Sequence, residues 1–77
     1  MIREPDLAAL TRDLPEQGFA RGDVGTVVHR DDGGRSYEVE FATAAGDTIA
    51  VLTLNEAAIR PLAGRELLHV RSLAASV

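Results

Sequence analysis

Seventy-seven residues with a net charge of −4, 45 % hydrophobic and 26 % charged, describe one small folded domain rather than a disordered or multidomain chain. The absence of cysteine excludes disulfides, thiolate zinc sites and cysteine nucleophiles. The acidic balance disfavours generic nucleic-acid binding, whose affinity comes from basic patches on phosphates, and suits a partner with a basic surface.

The opening residues, Met1-Ile2-Arg3-Glu4-Pro5, mix charges with a proline and lack the apolar stretch of a signal peptide. No apolar run approaches the roughly 18 residues of a membrane span. The expectation is a cytoplasmic protein, with no membrane contact, whose residues 1–5 are flexible.

Residues 6–12 are short and apolar, and Leu7-Ala8-Ala9-Leu10 reads as a first strand in spite of two alanines. Residues 13–21 carry Pro15 and Gly18 without periodicity, so they form a long loop. In a small domain such a loop folds back, with Leu14 and Phe19 capping one end of the core. The alternative leaves Phe19 exposed as a contact residue.

Gly22 and Gly25 bracket a tight turn that feeds a strand from Val24 to Val28. Alternation puts Val24, Thr26 and Val28 on one face and Gly25, Val27 and His29 on the other. A glycine at position 25 predicts a bulge or the close approach of another backbone. Asp31-Asp32-Gly33-Gly34 then supplies a hairpin turn. In Tyr37-Glu38-Val39-Glu40-Phe41 the alternation is unbroken, with Tyr37, Val39 and Phe41 toward the core and the glutamates toward water.

After a second turn over residues 42–47, Thr48-Ile49-Ala50-Val51-Leu52-Thr53-Leu54 is apolar enough to be a central strand. Asn55 is a good cap for a single 3₁₀ turn, and Pro61 confines the last short strand, residues 59–62, to an edge or Pro61 itself to that strand's end. Residues 66–73 fit both a strand, through Leu68 and Val70, and a helix, through Leu67, Val70 and Leu73. The interleaving at Val70-Arg71-Ser72 favours an extra strand, and residues 74–77 are expected to fray. An all-β fold results: five short strands with a 3₁₀ turn before the fifth, the pattern of a small SH3-like barrel over residues 6–62, followed by a C-terminal extension over residues 63–77.

Several motifs resemble a small bacterial family, the domain of unknown function 4926. They are Thr11-Arg12-Asp13-Leu14-Pro15-Glu16-Gln17-Gly18, Arg21-Gly22-Asp23-Val24-Gly25-Thr26, Tyr37-Glu38-Val39-Glu40-Phe41, Ala50-Val51-Leu52-Thr53-Leu54 and Ile59-Arg60-Pro61-Leu62. The resemblance spans residues 6–62. It implies an SH3-like fold, brings no catalytic residues with it, and suggests a partner-binding role of the antitoxin or immunity type.

The residues offer little chemistry of their own. Gly22-x-x-Gly25 precedes a strand, not the helix N-terminus that a phosphate loop needs. Glu38 and Glu40, about 7 Å apart on one strand face, have no cleft to perturb them. His29 and His69 lack a third ligand at metal spacing. The serines lie in turn-like or terminal segments. No catalytic, cofactor or metal site is expected, and the chain is not read as an enzyme.

Function is therefore expected on the surface, in a non-catalytic protein–protein interaction module. The candidate contacts are Asp13, Glu16, Phe19 and Arg21 on the long loop, with Asp31, Asp32 and Arg35 on the hairpin, because interfaces favour aromatic residues and arginine. Leu67, Leu68, Val70 and Leu73 are the candidate contacts of a homodimer. The second reading is an SH3-like barrel touching RNA or DNA through Arg21 and Arg35.

Overall fold

Residues 6–73 are described by the computed structural model, and the alternating segments among them form five antiparallel strands in one sheet. They are β1 (Leu7–Leu10), β2 (Val24–Arg30), β3 (Ser36–Ala42), β4 (Thr48–Asn55) and β5 (Ile59–Pro61). The expected flexibility of residues 1–5 and fraying of residues 74–77 concern segments outside the described residues.

The strands are ordered β4-β3-β2-β1-β5. The middle of the chain is a simple meander, and the last strand crosses over to pair with the first. That crossing shapes the molecule. Laid flat, four strand spacings would separate β4 from β5 by about 19 Å. Yet the chain passes from Asn55 to Ile59 through the single 3₁₀ turn Glu56–Ala58, a span that extended chain covers in at most about 14 Å. The sheet must therefore curl until its two ends nearly meet.

The crossing is held along its length. Asn55 Oδ1 accepts from the Ala57 N–H at 2.8 Å, the cap anticipated from sequence. The Glu56 N–H donates to the Arg35 carbonyl on one side, and the Ala58 carbonyl accepts from the Thr11 N–H on the other, both at 2.9 Å. Thr11 Oγ1 adds a bond to the Ala57 carbonyl at 2.7 Å.

Curling gives the sheet an inside. Leu10, Val27, Tyr37, Val39, Phe41, Leu54, Ala58 and Ile59 fill it, with Leu14, Ala50 and Leu52 partly buried against them. Tyr37, Val39 and Phe41 face inward as their alternation predicts, and Phe19 closes the cluster by stacking on Phe41, with ring centroids 4.4 Å apart. Between β2 and β3 a tight turn over Asp32–Gly34 is interrupted at Gly33, where φ is +78°.

Gly25 is fixed by proximity. A Cβ there would lie 2.6 Å from Val39 Cγ1 and 2.9 Å from the Glu40 carbonyl oxygen, so the expected close approach is real. Three residues later, at Val28, the pairing of β2 with β3 slips. Val27 faces Val39, but His29 rather than Val28 faces Glu38, and Arg30 faces Tyr37. The extra residue reverses the alternation. His29 consequently shares the face of Glu38, not that of Val27 as simple alternation indicated.

Two further expectations are corrected. β4 is not central but an end of the sheet, because β5 crosses to β1 instead of pairing beside it. Residues 66–73 form neither strand nor helix; side-chain bonds, described below, hold this segment in place of a backbone ladder. β5 lies at an edge and ends on Pro61, so both places that the proline allows are used.

Replacing Gly25 by alanine forces Val39 and the β3 backbone to move. Overpacking of this kind costs about 1–3 kcal/mol. Chemical denaturation is expected to show a loss of that size, whereas Gly64→Ala, in open space, leaves the midpoint within experimental error.

Candidate functional site

The long loop is a folded structure in its own right. Leu14 and Phe19 bridge as a two-residue antiparallel pair, with bonds of 2.8 and 3.1 Å, and Gly18 turns the chain between them at a φ of +81°. Asp13 Oδ1 accepts from the Arg21 N–H at 2.8 Å and ties the two arms together. Below them, Asp23 Oδ2 accepts from the Ala20 N–H at 2.8 Å and the Gly22 N–H donates to the Leu10 carbonyl at 2.9 Å.

This architecture redistributes the candidate contacts. Phe19 is 5 % exposed and serves as the core cap rather than as an exposed contact, because its ring gains more from stacking on Phe41 than from facing water. Asp13 holds the loop closed. Glu16 and the Arg21 side chain are exposed. On the hairpin, Asp31 accepts from the Ser36 hydroxyl and lies 3.6 Å from His29 Nε2. Arg35 is exposed, and the Asp32 side chain lies outside the described residues. Phe19 and this hairpin meet β3 at its two ends, Phe41 and Ser36, about 17 Å apart, so the loop and hairpin charges do not ring a common aromatic anchor.

The C-terminal segment is secured by arginine, not by its leucines. Arg71 grips Asp23 with two bonds, Nε to Oδ1 at 2.8 Å and Nη2 to Oδ2 at 2.6 Å, and Nη2 reaches the Gly18 carbonyl at 3.2 Å. Upstream, Arg60 makes the same two-pronged contact with Glu66, at 2.8 and 2.6 Å, while Glu66 Oε1 accepts from the Ala63 N–H. Between these clamps Leu67 and Val70 stand 95 % and 88 % exposed. The segment forms one wall of a groove of about 500 Å³; Phe19, Val24, Phe41 and Ile49 line it opposite Val70 and Leu73.

The outer face of the sheet is the surface that the sequence did not reveal. Register places Leu7 opposite Thr26, Thr26 opposite Glu40 and Glu40 opposite Val51, a single row across four strands. Leu7, Val28, Ile49 and Val51 are each more than two-fifths exposed. Glu38 and Glu40 are half-buried among them, and Glu40 Oε2 accepts from the Thr48 hydroxyl.

The clamps make docking of the C-terminal segment dependent on pH. The Arg71 hydrogen bond holds the Asp23 carboxyl below its ordinary 3.8; partial burial opposes this, and the Ala20 N–H adds to it. The Arg60 hydrogen bond and the Ala63 N–H hold Glu66 at about 2. A carboxylate that titrates lower when docked than when free contributes fully above its free value and loses that contribution as pH falls through its docked value. The backbone chemical shifts of Glu66, Leu67, Ser72 and Leu73 are therefore expected to keep their docked values from pH 7 to 5 and to move toward free-chain values as pH approaches 2. Between pH 7 and 5, Arg71→Ala moves Ser72 and Leu73 toward free-chain shifts and leaves the sheet amides in place; parent shifts retained at Ser72 and Leu73 in that variant would refute the clamp.

No helix among the described residues is long and apolar enough to cross a membrane. No curated protein and no solved structure matches the chain. A family match covers residues 4–61, from ahead of β1 to the end of β5, and therefore takes in the whole curled sheet and its long loop while stopping short of the clamped C-terminal segment. The chain belongs to the family described as Domain of unknown function (DUF4926).

Proposed function

We propose that this chain is a non-catalytic protein–protein interaction module, an SH3-like barrel that binds a basic partner protein on the outer face of its sheet. The strand order, the long folded loop between β1 and β2 and the 3₁₀ turn before β5 support the SH3-like reading. The observation that carries the binding reading is the row Leu7–Thr26–Glu40–Val51. Large apolar side chains gathered on one exposed face are the informative exception to ordinary burial. Carboxylates set among aliphatics suit lysine and arginine, whose stems pack on apolar surface while their heads find charge. The loop rim is the weaker candidate, since its aromatic is buried and Asp13 and Asp31 already hold loop structure.

The immobilised full-length chain is expected to retain a basic protein from an extract of its host and to release it as salt is raised. Glu38→Lys combined with Glu40→Lys lowers retention at least about tenfold, because like charges then face each other across the contact. Glu16→Ala combined with Arg35→Ala leaves it unchanged. Retention that survives the lysine pair, or disappears with the loop pair, would move the site off this face.

A further inference from the structure

The two ends of the sheet are treated differently. β5 is three residues long and carries Arg60 and Pro61, the latter with no N–H to offer; short length, a charge and a proline are the devices that keep an edge strand from pairing further. β4 has none of these three, and its one irregularity is the extra residue Ile49 near its start. It runs for eight residues, Thr48-Ile49-Ala50-Val51-Leu52-Thr53-Leu54-Asn55, without a charge, proline or glycine. Among the described residues only β3 pairs with it. Its composition is that of a central strand, and its position is an edge.

We propose that β4 pairs with β4 of a second copy of this chain, antiparallel about a two-fold axis through Val51, joining two five-stranded sheets into one of ten strands. A second copy fits this edge because an uncharged strand brings no like-charge cost to pairing with itself. The nearest carboxylates in the same row, Glu40 of each copy, would stand three strand spacings apart, about 14 Å. That exceeds the screening length of about 8 Å at physiological salt.

Symmetry narrows the register. A two-fold axis that reverses the strand direction and keeps the sheet continuous is perpendicular to the sheet, so each residue meets one on its own face. Centring on Val51 sets Val51 against Val51 on the outer face and Ala50 against Leu52 on the inner, and brings Thr53 to Ile49, the extra residue where β4 slips against β3. The central outer pair is then β-branched on both sides, a combination that packs well across antiparallel strands. Centring on Leu52 would instead set Ile49 against Asn55. The self-contact therefore lies on β4 and not on Leu67, Leu68, Val70 and Leu73, whose segment is held on its own chain by Arg71 and Asp23.

The lack of cysteine makes single substitutions unambiguous reporters. Residues directly opposed across antiparallel strands have Cα atoms about 4.5–5.5 Å apart, within disulfide reach. Under mild oxidation Val51→Cys is expected to give a covalent dimer, and Val28→Cys, exposed on β2, is expected not to. Sedimentation equilibrium of the full chain at tens of micromolar should give twice the chain mass. Ile49→Lys with Val51→Lys, at positions already 42 % and 52 % exposed, should give a monomer with an unchanged cooperative melt. Leu68→Lys with Val70→Lys should remain dimeric. A monomeric parent chain, a dimer that persists in the β4 lysine variant, dissociation of the Leu68/Val70 variant, or equal cross-linking at positions 28 and 51 would each overturn the proposal.

Discussion

The short passage from β4 to β5 governs this molecule. Four backbone steps cannot bridge a flat five-stranded sheet, so the sheet curls, and curling creates the interior. Everything buried depends on that closure. Ala58, on the passage itself, is completely buried, and its carbonyl anchors Thr11 at the mouth of the long loop. Small residues suit so tight a space: Ala8 and Ala9 are almost wholly buried in β1. Gly25 meets the same constraint from the opposite strand. A core built around close backbone approach makes economical use of few large side chains, which a chain this short requires.

Much of this was legible in the sequence because it is local. Tyr37-Glu38-Val39-Glu40-Phe41 declares both its conformation and its inward face, Asn55 declares a cap, and Gly25 declares a close neighbour. What was illegible depends on distant parts of the chain. The place of β4 in the sheet follows from where β5 pairs, and no property of β4 reports that. The orientation of His29 follows from a single extra residue at Val28. Residues 66–73 follow from two side-chain clamps, one of them reaching 48 positions back to Asp23, and periodicity carries no trace of such a bond.

The candidate surface was hidden for a related reason. Leu7, Thr26, Glu40 and Val51 sit on four different strands, at spacings that mean nothing until the register is known. Two of the loop residues read as contacts also build the loop: Phe19 lies in the core and Asp13 ties its two arms together. In a domain this small, charged and aromatic loop residues help to complete the fold, and the outside of the sheet is free of that task. The family match ends with β5 and stops short of the clamped segment.

The pairing of the first strand with the last also has a kinetic side. Ala8 lies against Pro61, so this ladder encloses about fifty residues, and the entropy of closing so large a loop must be met before any of its contacts is gained. The hairpins of β2, β3 and β4 carry no such burden. Folding is thus expected to begin in the meander and end at the seam between β1 and β5, and a substitution such as Ile59→Val should accelerate unfolding more than it slows refolding. The residues that close the sheet set how long the folded state persists, while the speed of its formation is set elsewhere.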